Sequence, residues 1–162
     1  MELKKPIPGD QLIGLGAIVL FLVSFFHWLG AMGTVRGGQT ASALYVGAGS
    51  AWDFTLTTFA VLLGLALLGY VILRVVDVDL PTKIGSATLG QVVLGVAGAA
   101  FVLVFIKLLA GPNASTIPST VAGLPVTVTK TRKFGIYAGL VATGALAVGA
   151  FLSFQAEQLG GS

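Results

Sequence analysis

Four apolar stretches of about 20 residues, separated by shorter polar ones, constrain this chain more than any motif it carries. They run approximately over 11–31, 54–73, 85–106 and 134–154. Each is close to what a helix needs to cross a ~30 Å hydrocarbon layer. Lipid offers the backbone no hydrogen-bonding partner, so helix is the default form of such a segment. The expected fold is all-α, a four-transmembrane-helix bundle forming a single membrane domain over 1–162. Outer loops fall at 32–53 and 110–133, and a short inner turn at 74–84.

Charged residues make up 9% of the chain and hydrophobic ones 56%, with a mean hydropathy of +0.98. A soluble domain carries about a quarter charged residues, so this composition points to lipid as solvent and as first partner. The net charge of +3 does not indicate a nucleic-acid binder. Its cations sit at the ends of the apolar stretches, where they meet headgroups, and no basic block faces a soluble partner. Cysteine is absent, which excludes disulfides, thiolate metal sites and S-acylation.

Lys4 and Lys5 precede the first stretch and Ala31-Met32-Gly33 follows it, as in a cleavable signal. The apolar run from Leu12 to Leu29 nevertheless exceeds the roughly 7–15 residues of a signal core, so the segment is expected to be retained. Lys4, Lys5, Arg74 and Lys83 lie on one side of the membrane; Arg36, Lys107, Lys130, Arg132 and Lys133 lie on the other. That near tie is decided by the first helix, whose basic flank places both termini in the cytoplasm. The alternation from Pro125 to Thr131 reads as a strand, and Ala41 to Val46 as a second extended piece. A small extracytoplasmic β-hairpin or cap fits these loops. Gly30, Gly33, Gly37, Gly38, Gly47 and Gly49 equally suit an irregular course.

Small residues recur at helical spacing. Gly135, Gly139 and Thr143 form one line, Gly149 follows on the same helix, and Gly64 and the pair Gly95 and Ala99 mark the second and third stretches. Such lines allow close helix approach, within one chain or in a homo-oligomer. Gln91 is expected to bond a neighbouring helix about two turns into the third stretch. Trp28 and Trp52 suit an interfacial aromatic belt, with His27 a loop anchor. Asp10 reads as N-cap of the first helix. Asp53 reads as N-cap of the second or as a partner for Arg36 or the third-loop cations. A lone His holds no metal, and no phosphate loop, HExxH or GxSxG elbow is present. The sequence therefore implies no catalytic residue, cofactor or metal.

Phe25-Phe26-His27-Trp28, Ser50-Ala51-Trp52, Ile106-Lys107-Leu108 and Arg132-Lys133-Phe134-Gly135 resemble stretches of uncharacterised small four-helix integral membrane proteins of actinobacteria. In those relatives a proline often precedes the first-loop Trp, where this chain has His27. The resemblance implies a cytoplasmic-membrane protein with both termini inside and brings no activity with it. The expected function is that of a non-enzymatic accessory, scaffold or envelope-associated subunit working through helix and outer-loop contacts with other membrane proteins. The alternative is a small oligomeric channel or carrier, with a membrane enzyme or lipid-handling protein behind it.

Overall fold

A computed structural model describes residues 8–37, 40–76, 78, 83–84, 86–110, 119–121 and 124–160, with backbone alone over 31–37, 40–48, 83, 119–121, 124–131 and 160. The protein is predominantly helical. Its helices are α1 (Pro8–Ser24), α2 (Thr55–Val75), α3 (Leu89–Leu109) and α4 (Phe134–Gly160). Its strands are β1 (Leu29–Gly37), β2 (Thr40–Gly49), β3 (Lys83–Ile84), β4 (Ala87–Thr88), β5 (Ser119–Val121) and β6 (Leu124–Arg132). Three helical segments, Thr55–Val75, Leu89–Leu109 and Phe134–Leu159, are long and apolar enough to cross a membrane. α1 is apolar but has 17 residues.

The first apolar stretch does not stay helical to residue 31. α1 stops at Ser24 because side chains take up its last carbonyls, one from within its final turn and one from beyond it. The Trp28 indole Nε1 donates to Val23 O at 2.9 Å, and Ser24 Oγ donates to Phe21 O at 2.6 Å. Trp28 N then donates to Gly49 O at 2.8 Å, which commits the following residues to a strand. Hydropathy continues through this corner, and the backbone does not.

The third helix begins at Leu89 rather than at residue 85, where Thr88 and Gln91 form a reciprocal cap. Gln91 N donates to Thr88 Oγ1 at 3.3 Å and Thr88 N donates to Gln91 Oε1 at 3.0 Å. The exposed Gln91 therefore closes its own helix instead of bonding a neighbour, which corrects its expected role. The connection from α2 to α3 also starts later than the expected 74–84, since Arg74 and Val75 belong to α2. Lys83 and Ile84 pair antiparallel with Thr88 and Ala87.

α1 and α3 each pack on both α2 and α4, so the four helices close a ring. Ile13, Leu20, Val61, Leu67, Val104 and Leu146 fill its centre. Large apolar side chains also point outward from every helix, among them Leu15, Phe59, Val102 and Val141. A soluble monomer rarely exposes so much contiguous apolar surface, whereas a body surrounded by acyl chains must.

Small residues set where the ring is tightest. A Cβ on Gly149 would lie 2.8 Å from Gly9 O and 2.9 Å from Ile13 N, and one on Gly16 would lie 3.0 Å from Ala142 O. α1 and α4 thus touch backbone to backbone. Gly64 accommodates Leu20, 2.7 Å from where its Cβ would stand. Gly135 and Gly139 receive no helix. They form a seat for the Trp28 ring, with Trp28 Cδ1 2.5 Å from a Cβ on Gly135 and the far edge of the indole overlapping one on Gly139. Gly95 and Ala99 are exposed, with nothing within 4 Å of a Cβ on Gly95, so they do not join helices within this chain. Spacing by four defines a line along a helix but leaves its direction open.

The main sheet runs in the order β2-β1-β6-β5, antiparallel throughout. Leu29 opposes Gly49 on one side and Arg132 on the other, so three strands meet the helices at one level.

The two glycine environments predict opposite signs for one substitution. Gly139→Ala should destabilise the protein by about 1–3 kcal/mol through overpacking on a rigid indole. Gly95→Ala should stabilise it by roughly 0.5–1 kcal/mol through helix propensity alone. Unfolding of both variants in mild detergent checks this, and equal melting would remove the seat.

Candidate functional site

Two constellations of polar and aromatic side chains lie at opposite ends of the helix ring. At one end Asp10, in the first turn of α1, is only 2% exposed. Its Oδ1 accepts from Arg74 Nη1 at 3.1 Å and from Ser153 Oγ at 2.8 Å. The same guanidinium reaches the Tyr70 hydroxyl at 2.7 Å through Nη1 and lies 3.5 Å from Glu157 Oε1 through Nη2. The other Glu157 oxygen rests against Gly90, where a Cβ would overlap it. A Cβ on Gly9 would likewise overlap Ser153 Oγ.

Helix direction explains this arrangement. α1 and α3 begin at this end and α2 finishes here, so positive and negative dipole ends stand side by side. Asp10 sits at the start of α1, Glu157 reaches the start of α3, and Arg74 closes α2. Asp10 and Arg74 each occupy the dipole end that favours them, whereas Glu157, in the last turn of α4, is held by Arg74 and by its approach to the start of α3. The cluster ties α1, α2 and α4 directly and touches α3 through Gly90. Chemically it is a satisfied latch: one guanidinium is shared by two carboxylates and a phenol. Among the described residues no group of three His, Cys, Asp or Glu could hold a metal ion.

At the opposite end Trp28 is fully buried rather than part of an interfacial belt. Its carbonyl accepts from Lys133 N at 2.9 Å, so its main chain bridges β2 and the start of α4 while its ring fills the Gly135–Gly139 seat. His27 contributes its carbonyl, which accepts from Gly135 N at 3.3 Å, and leaves its imidazole exposed. Trp52 lies nearer the surface. It is 37% exposed, donates through Nε1 to the buried Ser24 Oγ at 3.1 Å and packs 6.1 Å from the Phe25 ring.

Asp53 does not cap α2, whose N-cap position is held by Phe54. Its Oδ2 accepts from Ser50 N at 2.6 Å and Ser50 Oγ at 3.0 Å, closing the 3-10 turn Ala51–Asp53. The carbonyl of Ala51 then accepts from Thr57 Oγ1 at 2.6 Å, which joins the turn to α2. Arg36 and Lys130 are described by backbone only, so ion pairs from their side chains to Asp53 lie outside the described residues. Lys107, in the last turn of α3, places Nζ 4.0 Å from the centre of the Phe54 ring.

Sequence reasoning missed the Asp10–Arg74–Ser153–Glu157 group. Its signal was present in an aspartate and an arginine terminating consecutive stretches at the same end, with Ser153 on the small-residue face of α4 that carries Gly149. The chain matches no protein-family model and no curated protein.

Removing one partner of a buried ion pair costs more than removing both, because an uncompensated charge is left behind. Arg74→Met should therefore destabilise the protein by about 3 kcal/mol. Asp10→Asn should cost nearer ~1 kcal/mol, and the double variant no more than Arg74→Met alone. A double-mutant cycle by denaturant unfolding in detergent reads the coupling, and strictly additive losses would contradict a latch.

Proposed function

We propose that this is a non-enzymatic integral membrane protein whose four helices all cross the bilayer. In this reading the β2-β1-β6-β5 sheet caps the outer end and both termini lie in the cytoplasm. It serves as an accessory or scaffold subunit of the cell envelope, acting through its outer sheet and its lipid-facing helix surfaces. One observation carries the reading: the interior polar groups are consumed in building the fold. Thr143 Oγ1 donates to Gly139 O at 2.9 Å on its own helix, and Ser153 is bound to Asp10. Gln91 caps α3 at the surface. Among the described residues no buried side-chain nitrogen or oxygen lacks a partner.

A solute pathway through one copy would need polar groups turned toward a shared lumen, and the groups best placed for it are engaged elsewhere. The channel reading thus loses its main support. Catalysis has no better footing, since the carboxylates of Asp10, Asp53 and Glu157 are committed to Arg74, Ser50 and Gly90 contacts.

Two measurements test this. A reporter active only outside the cytoplasm should be silent when fused at the C-terminus and active when inserted near Ser119; the reverse pattern would invert the orientation. Purified protein in sealed vesicles should conduct no ions or small solutes above empty vesicles, and a flux that scales with protein would return the channel reading to first place.

A further inference from the structure

We infer that the sheet end of the helix ring recruits anionic phospholipids, with Arg132 and Lys133 contacting the headgroups and Phe25, Phe26, Trp52 and Phe134 lying among the acyl chains beside them. This rests on the membrane reading proposed above and adds the lipid class to it.

Position supports it first. Arg132 ends β6 directly opposite Leu29, and Lys133 is held by its main chain to Trp28 O, so both cations are fixed at the level where strands become helices. Arg132 is exposed and Lys133 half-buried. The next residue, Phe134, is 76% exposed, and Phe25 and Phe26 are 60% and 58% exposed at the end of α1. Cation and bare aromatic ring therefore adjoin along one boundary, the pattern of a headgroup zone above a hydrocarbon zone.

Charge supplies the second argument. The connections at the sheet end carry Arg36, Lys130, Arg132 and Lys133 against Asp53 alone. Among the described residues, segments at the other end carry Arg74 and Lys83 against Asp10 and Glu157. There the Arg74 guanidinium is neutralised by carboxylates. The positive excess of the described residues thus lies at the sheet end. Headgroups with net negative charge are attracted to such a surface, and zwitterionic ones have no net charge for it to attract.

Trp52 provides the readout, because it is exposed at this boundary whereas Trp28, the other tryptophan, is buried. The full-length protein is reconstituted in phosphatidylcholine vesicles containing the same small fraction of brominated phosphatidylglycerol or brominated phosphatidylcholine. Brominated phosphatidylglycerol should quench Trp52 roughly two- to fivefold more effectively, a preference that shrinks at about 0.5 M salt. Arg132→Gln combined with Lys133→Gln should bring the two lipids to parity while leaving melting and quenching by phosphatidylcholine unchanged. Equal quenching of the wild type by both lipids would overturn the lipid preference and leave the membrane reading standing. Quenching by neither would overturn both.

Discussion

The rest of the structure depends on one buried indole. Trp28 stands where α1, the sheet and α4 meet, and it engages all three with different atoms. Its Nε1 closes the end of α1, its backbone bridges β2 to the residue before α4, and its ring lies on Gly135 and Gly139. A tryptophan buries a large apolar area, and its one polar atom must be satisfied to do so; here Val23 O satisfies it. Any side chain on the two glycines would lift the ring and with it both the helix end and the strand base. The GxxxG spacing is thus answered by an aromatic side chain, and the chain turns from helix to sheet because the ring has somewhere to go.

A second constraint lies along the α1–α4 seam. Lipid supplies no hydrophobic force between helices, so contact must come from close dispersion and from polar pairs. Gly9, Gly16 and Gly149 provide the closeness, and Ser153 with Asp10 provides the pair at the same seam. The small residues let the helices touch at many depths; the polar pair selects one of them. Arg74 then extends that choice to α2, and Glu157 against Gly90 extends it to α3.

Much of the helical content was legible because a run of about 20 apolar residues has few physical solutions. What hydropathy cannot register is a change of backbone direction inside an apolar run. Leu29 to Ala31 are apolar enough to extend a helix, yet they open β1 because Trp28 donates its amide to Gly49. The site residues were unequally readable for a similar reason. Gly64 and Gly149 lie where atoms of α1 come close, and close approach is what a glycine on a helix face permits. Gly95 and Ala99 carry the same spacing and face outward, because the pattern contains no information on which neighbour lies opposite. The Asp10 latch spans positions separated by 64 and 143 residues, and only the antiparallel return of α2 and α4 brings them together.

The unequal lengths of the two helices that share the seam have a mechanical consequence. α1 has 17 residues and α4 has 27, about 26 Å against 40 Å at 1.5 Å per residue. A bilayer with ~30 Å of hydrocarbon matches the apolar part of α4 but exceeds α1, and on the four-span reading proposed above the backbone contacts at Gly149 and Gly16 prevent one helix from sliding along the other to share the difference. On that reading the lipid thins along the α1 flank, while the polar last turn of α4, with Glu157 and Gln158, projects beyond the hydrocarbon. So seated, the molecule would present a thinner hydrophobic edge on its α1 side than on its α4 side, and it would favour borders between thin and thick bilayer over uniform regions of either.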